Sequence, residues 1–299
     1  MVKTSITIEC PKFYDLYMTC HVHGWQNLSP FSWDYEKNAL RFAALVEDHP
    51  VDMEAKQSGA TVKATLTSHQ KLTRFSKSKF KAIISRSLGL DIDISELLNV
   101  AQKIGPEYVK LIKKGAGRLL RAPTLWEDAA KTLFTTNCSW ILTKKICKSA
   151  CSDNFIQSAP SGAFPFPSPQ KIALYEIDKL KELIPVGYRA SYLKPLAERF
   201  AEDPTYQQLE TSGFDYKAAD KMVRQLKGFA DYATAHLLVL AGYYNEIPID
   251  TVIVSYLKKN HRVRKPKSFI DRHYRRWGKY KWWGLKLEKM LKRQNWLGG

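Results

Sequence analysis

The chain has 299 residues, 44% hydrophobic and 12% aromatic, with 47 Lys+Arg against 29 Asp+Glu and a formal charge of +18. That length and apolar content support a packed core and exclude a solvated basic tail. No apolar run approaches the ~20 residues of a membrane helix. Met1–Glu9 has no long apolar core, so a secretory signal is not expected, and five cysteines without a CxxC pair argue against a disulfide framework or a four-cysteine zinc ribbon and for a reducing compartment.

In chain order, residues 4–72 read as β-rich. Thr4–Glu9, Tyr14–Cys20, Leu40–Val46 and Ala60–Ser68 are short runs of β-branched and aromatic residues broken by Pro, Gly, Asn and Asp. Val62, Ala64 and Leu66 alternate with the residues between them. From about residue 77 the period turns helical. Ile94–Ile104 and Tyr108–Ile112 are amphipathic, and Gly115 and Gly117 punctuate before Arg118-Leu-Leu-Arg121. Pro123 opens a helix over Thr124–Phe134. Thr135-Thr-Asn-Cys-Ser139 reads as a stop followed by a new N-cap, and Trp140–Ala150 as the next helix. A Ser/Pro/Gly-rich loop, Ser158–Pro169, leads to helices over Gln170–Leu183, Gly187–Phe200, Tyr216–Leu226 and Asp231–Gly242. There is no internal repeat. The expected fold class is α+β: a small N-terminal antiparallel β domain over 1–75, then a mostly helical domain over 76–299 that allows two lobes with a cleft between them.

The charge excess is concentrated at the end of the chain. Residues 258–299 hold 15 Lys/Arg and two acids, Asp271 and Glu288, a net of +13; the other 257 residues net only +5. Trp277, Trp282, Trp283 and Trp296 are interleaved there. Cations among aromatics suit a polyanion, with the aromatics folding the element; a solvated helix face with a Trp-filled core side is the companion reading.

Leu226-Lys-Gly-Phe-Ala-Asp-Tyr-Ala-Thr-Ala235 lies between two amphipathic helices. Gly228 permits a tight turn, and Asp231 can cap the next helix, whose N–H groups suit a phosphate. An ordinary helical hairpin has the same ingredients. Further on comes Ile247-Pro-Ile-Asp-Thr-Val-Ile253. Asp250 is a lone carboxylate among apolar neighbours, suited to capping a helix from Thr251 and also to serving as a catalytic acid. There is no GxxxxGK[ST], HExxH, GxSxG or Rossmann glycine fingerprint. Cys147-x-x-x-Cys151 is a helical pair without histidine partners, read as core.

Together these stretches resemble the helix-hairpin-helix DNA glycosylase superfamily, in its 8-oxoguanine and 3-methyladenine II branch. Leu226-Lys-Gly-Phe-Ala…Thr234-Ala235 is similar to the hairpin LPGVGxxTA, and Pro248-Ile-Asp250 to the Pro-x-Asp step beyond it. Gly187-Tyr-Arg-Ala-Ser-Tyr-Leu193 resembles a GYRA-x-Y segment, Phe166-Pro-Ser-Pro-Gln170 an FPS loop, and Arg276-Trp-Gly-Lys-Tyr-Lys-Trp-Trp283 the last core helix. The similarity covers roughly residues 115–285. Lys227 replaces the hairpin proline, Ala230 the second glycine, and Ala233 is extra.

The resemblance implies duplex DNA containing a damaged base as partner, no membrane and a monomeric protein, working in the cytoplasm and nucleoid of a bacterium or the nucleus of a eukaryote. It gives Asp250 the catalytic role of stabilising an oxocarbenium-like sugar and directing water. Asn137, with Cys138 beside it, would fill the space left by a flipped base; a helix cap is the alternative. Tyr232 and His236 share one helix face and would line the base pocket by stacking and by a hydrogen bond or a cation; a packed tyrosine and a satisfied core histidine are the alternative. Lys227, Gly228 and Ala230 would present the hairpin to phosphates. Tyr188 and Arg189 would line the DNA-facing rim, and Arg272, Arg275 and Arg276 would contact phosphate; solvated charges are the alternative. Tyr232 stands where strand-nicking members carry a lysine, which implies a monofunctional enzyme. A bifunctional oxidised-purine glycosylase/lyase and a non-catalytic DNA-binding module of the same fold are the rivals. The cofactor expectation is none beyond a monovalent cation at the hairpin; a C-terminus without cysteine excludes an iron–sulfur cluster.

Overall fold

The computed structural model describes residues 1–71, 73–211 and 213–292; Trp296 lies outside the described residues. The strands are β1 Val2–Glu9, β2 Ser32–Asp34, β3 Ala39–Val46, β4 His49–Ser58 and β5 Thr61–Ser68. The helices begin with α1 Leu16–His21, α2 Arg74–Ser87, α3 Ser95–Gln102, α4 Pro106–Lys113, α5 Leu125–Thr135, α6 Trp140–Ala150, α7 Pro169–Ala173 and α8 Ile177–Leu183. They continue with α9 Ala190–Glu202, α10 Pro204–Gln207, α11 Tyr216–Arg224, α12 Asp231–Leu240, α13 Thr251–His261, α14 Pro266–His273 and α15 Lys281–Lys292. The architecture is α+β, an N-terminal antiparallel sheet followed by helices.

The chain forms two compact units. The first combines Met1–Asp93 with Arg118–Gln207; the second combines Ile94–Gly117 with the described residues from Gln208 onward. The strand-to-helix change near residue 75 falls inside the first unit, and the helical stretch is shared between the two.

In the first unit the sheet order is β1-β5-β4-β3-β2. Phe42 pairs with Met53 and Met53 with Leu66, one cross-strand row whose three side chains are buried. The β3–β4 turn places Glu47 and Asp48 at φ 52° and 63°, the left-handed pair of a type I′ hairpin. Helix α2 buries Phe80 and Ile84, spaced one turn apart. A fully buried carboxylate, Asp128 of α5, joins sheet-side and helical parts. It accepts from Trp25 Nε1 at 2.8 Å, from Ala122 N at 2.9 Å and from Arg86 Nη2 at 2.9 Å. Arg118 adds a second tie, donating to the carbonyls of Ile92, Phe13 and Lys12. These bonds explain why the sheet shares a unit with α5–α10.

Two expectations are corrected here. Tyr14–Cys20 is not a strand: Asp15 Oδ1 accepts from Met18 N at 2.6 Å and caps α1. Gln170–Leu183 is not one helix but α7 and α8, with Ile184 extended after the second.

In the second unit α3 packs on α4 and α4 on α15. Trp277, Tyr274, Trp283 and Leu285 fill the core with Leu97, Leu111 and Ile112. The stretch Arg276–Trp283 is not one continuous helix. Arg275–Tyr280 is a 3-10 segment broken at Gly278 (φ 54°, ψ −123°), and α15 starts only at Lys281.

Candidate active site

The hairpin joins α11 to α12. Gly228 sits at φ 91°, a conformation that favours glycine. Leu226 and Phe229 are buried, whereas Lys227 and Ala230 are exposed, so the turn is pinned from inside and shows its backbone outside. Thr234 Oγ1 donates to Phe229 O at 3.0 Å and closes it. Asp231 does not cap α12: the N-cap is Ala230, with no side-chain cap bond. Asp231 instead accepts from Arg224 Nη1 at 2.8 Å, because one residue further along its side chain points to the preceding helix.

Asp250 is the N-cap of α13, its Oδ1 accepting from Ile253 N at 2.7 Å. That bond fixes the rotamer, while Oδ2 has no partner among the described residues. The carboxylate is half-buried beside the buried Ile247, Pro248 and Ile253. The capping and catalytic readings of Asp250 are therefore compatible: one oxygen anchors, and the other can face a cation.

Tyr232 and His236 lie on α12, and Tyr232 Oη is 3.2 Å from His236 Nδ1. Burial first, then the Lys286 ammonium, pushes the imidazole down to about 3. His236 is neutral at ordinary pH, which corrects its reading as a cation. In the tautomer protonated at Nε2, the phenol donates to Nδ1. Both side chains are half-buried and form one polar pair.

In the first unit, α5 ends at Thr135 and Ser139 caps α6 by accepting from Leu142 N at 3.3 Å. Between them Asn137 is exposed at φ 46°, a left-handed position that Asn tolerates better than most residues. Cys138 is half-buried beside it. Asn137 Nδ2 lies 3.5 Å from Tyr188 Oη, and Tyr188 is 51% exposed.

Arg189 is neither a solvated charge nor a rim contact. It is 5% exposed and its guanidinium donates to Thr136 O at 3.0 Å, Asn137 O at 2.9 Å and Val186 O at 3.3 Å. It also lies 4.7 Å from the Tyr188 ring centroid. Sequence reasoning places it outward because a helix-start arginine is usually solvated; here the carbonyls left open at the end of α5 capture it. Arg189 positions Asn137 and Tyr188 together.

Arg272 and Arg275 are exposed and make no ion pair among the described residues. Arg276 differs: its Nη2 donates to Lys103 O at 2.7 Å, behind α3. The side chain is exposed all the same, and this bond occupies one of its five donors.

Solved structures with a similar fold are known. The apo 8-oxoguanine glycosylase/lyase of Clostridium acetobutylicum matches with a TM-score of 0.71 at 14% identity, over 95% of this chain and 94% of that one. The same protein in complex with double-stranded DNA containing cytosine opposite 8-oxoguanine gives 0.70 at 15%, over 97% and 96%. The 3-methyladenine DNA glycosylase of Archaeoglobus fulgidus gives 0.72 at 16%, over 96% and 98%. No protein-family model matches the chain, and no curated protein matches it by sequence. The agreement spans nearly the full length of each chain, sheet and helices alike. The chain has the fold of these 8-oxoguanine and 3-methyladenine DNA glycosylases.

Proposed function

We propose that this protein is a monofunctional DNA glycosylase that extrudes a damaged base from duplex DNA and hydrolyses its N-glycosidic bond. The observation that carries the reading is Asp250, held by the Ile253 amide through one oxygen, with the other oxygen unpartnered among the described residues. Breaking the bond leaves positive charge on the sugar. A carboxylate fixed in advance in apolar surroundings stabilises that charge without reorganising, and it can orient or deprotonate the attacking water. Tyr232, in place of an amine, cannot form a Schiff base at C1′, so water completes the reaction. Tyr232 and the neutral His236 offer a stacking surface and a hydrogen-bonding edge for the extruded base. Asn137, seated by Arg189 beside the exposed Tyr188, supplies the polar tip that takes its place, at an unstacking cost of ~a few kcal/mol that is smallest for damaged bases. Lys227, Gly228 and Ala230 present the hairpin backbone to phosphate.

The test is single-turnover base release from a panel of duplex oligonucleotides, each with one oxidised, alkylated or deaminated base, read by alkaline cleavage at the abasic site. Asp250→Asn keeps the Ile253 amide bonded, since Asn is as good an N-cap as Asp. It should abolish release while DNA affinity stays equal or rises, one negative charge near phosphate having gone. Wild-type rates in the variant would refute the role of Asp250.

A further inference from the structure

The end of α13 opposite Asp250 carries a second polar centre, and the glycosylase reading makes no use of it. His261, the last residue of α13, His273, the last of α14, and Glu288 inside α15 converge. Glu288 Oε1 lies 2.6 Å from His261 Nε2, and Oε2 lies 3.2 Å from His273 Nε2. The three sets of ligand atoms all fall within 4.8 Å of one another. We propose that His261, His273 and Glu288 form a binding site for a divalent first-row transition ion, zinc by preference, that clamps α13, α14 and α15 together.

Four features support this. The donor set is two imidazoles and one carboxylate, which suits zinc and its neighbours better than magnesium or calcium. Metal–ligand bonds of ~2.0–2.2 Å in a tetrahedron place ligand atoms roughly 3.3–3.5 Å apart. The two imidazole–carboxylate separations, 2.6 and 3.2 Å, lie below that value and all three groups fall within 4.8 Å, so modest ring rotations that open the cluster suffice. The carboxylate is oriented from behind: Tyr256 Oη donates to Oε1 at 2.6 Å and Tyr274 Oη to Oε2 at 2.9 Å, the outer-shell bonds that hold metal-bound carboxylates in place. The imidazoles are also braced, with Phe269 packed on His261 at 4.9 Å and parallel to His273 at 4.7 Å between ring centroids.

Access fits a three-ligand site. Glu288 is nearly buried, whereas the His273 side chain is 40% exposed, so a fourth position opens toward solvent for water. Lys292, one turn beyond Glu288, holds its ammonium 3.4 Å from Oε1. It supplies positive charge to the carboxylate when no metal does so, and it competes with an incoming ion. The site is remote from Asp250: it sits at the far end of the 11-residue helix whose first turn Asp250 caps, about 16 Å from it along the axis.

The experiment uses the full chain stripped with chelator. Equilibrium dialysis against Zn2+ with elemental analysis should give one tightly held equivalent, and Co2+ should give the visible absorption of a low-coordinate site. His261→Asn and His273→Asn should each weaken binding by 10-fold or more, and Tyr274→Phe by about 10-fold. Lys292→Met should tighten it several-fold, an effect of opposite sign that loss of folding cannot imitate. Zn2+ should raise the melting temperature of the parent protein but not of the double histidine variant. No bound equivalent at 100-fold molar excess of Zn2+ would overturn the site. So would equal binding by parent and double variant, which would trace the metal to other histidines, or an affinity unmoved by Lys292→Met.

Discussion

At the residue scale, two side chains on α12 decide separate questions. Tyr232 bears on the reaction class. A phenol with a reference pKa of ~10 forms no imine, so borohydride should trap no protein–DNA adduct and the product should be an intact abasic site. Tyr232→Lys should gain weak strand cleavage if burial keeps part of the amine neutral. An adduct with the unmutated protein would reveal a lysine nucleophile elsewhere and exclude the monofunctional class. His236 bears on stability. Its pKa falls from 6.5 to about 3 on folding, so the unfolded chain binds the proton more readily. The stability gained by keeping it neutral is complete above about 6.5 and is lost as pH drops toward 3. Between pH 6.5 and 5 the wild type should lose about 1–2 kcal/mol more unfolding free energy than His236→Gln in urea titrations. Parallel losses would mean that His236 is solvated. The position of Tyr232 is legible from its distance to Asp250. The neutrality of His236 is not, because it depends on burial and on Lys286, 50 residues away in sequence.

At the scale of elements, the clearest constraint lies between α15 and the 3-10 segment before it. A Cβ on Gly284 would stand 2.5 Å from Trp277 Cδ1 and 2.6 Å from Cγ. The indole cannot retreat easily, since it is buried and packs perpendicular to the Tyr108 ring at 5.1 Å between centroids. Alanine favours a helix over glycine by ~1 kcal/mol, but overpacking a core of this kind costs ~1–3 kcal/mol or more. Gly284→Ala should therefore lower the melting temperature, and a smaller side chain at Trp277 should recover part of the loss; a more stable Gly284→Ala would show that the indole moves aside freely. Elements whose signal is local are legible: β5 from its alternation, α6 from Ser139, and the hairpin from Gly228. Strand β4 escapes a sequence reading although Val51, Met53 and Ala55 alternate with Asp52, Glu54 and Lys56, because Pro50 and the charges mask a face buried only by its neighbours. Helix α1 is misread because Tyr14, Tyr17 and Thr19 favour a strand, and Asp15, read as part of that run, is the helix cap. The tie from Arg276 to Lys103 spans 173 residues and leaves no mark in sequence.

At the scale of the whole molecule, the net charge of +18 should make DNA binding steeply salt-dependent. The cations do not contribute equally. Arg272 and Arg275 face solvent, whereas Arg276 is tied to Lys103, Lys279 pairs with Glu96 at 2.6 Å and Lys281 with Glu246 at 3.2 Å. Replacing Arg272 and Arg275 with Gln should reduce the slope of log K against log[salt] by ~2, about 0.9 for each phosphate no longer neutralised. Arg276→Gln should instead leave the slope nearly unchanged and lower stability. The reverse pattern would place Arg276 on the DNA. The run of charge at the end of the chain is plain in the sequence, but which of its members are available is decided by partners far away along it.

The interleaving of the two units also has a consequence during synthesis. Helices α3 and α4 leave the ribosome about 90 residues before Gln208, where the rest of their unit begins. At ~5–20 residues per second that is an interval of about 5–20 s. Throughout it Leu97, Ala101, Leu111 and Ile112, buried in the finished protein, have no α15 or Trp277 to cover them. The first unit, by contrast, has all its residues once Gln207 has emerged. A nascent chain paused at that point should present a protease-resistant sheet-bearing body and a protease-sensitive 24-residue excursion, Ile94–Gly117, whose apolar side chains still lack their cover.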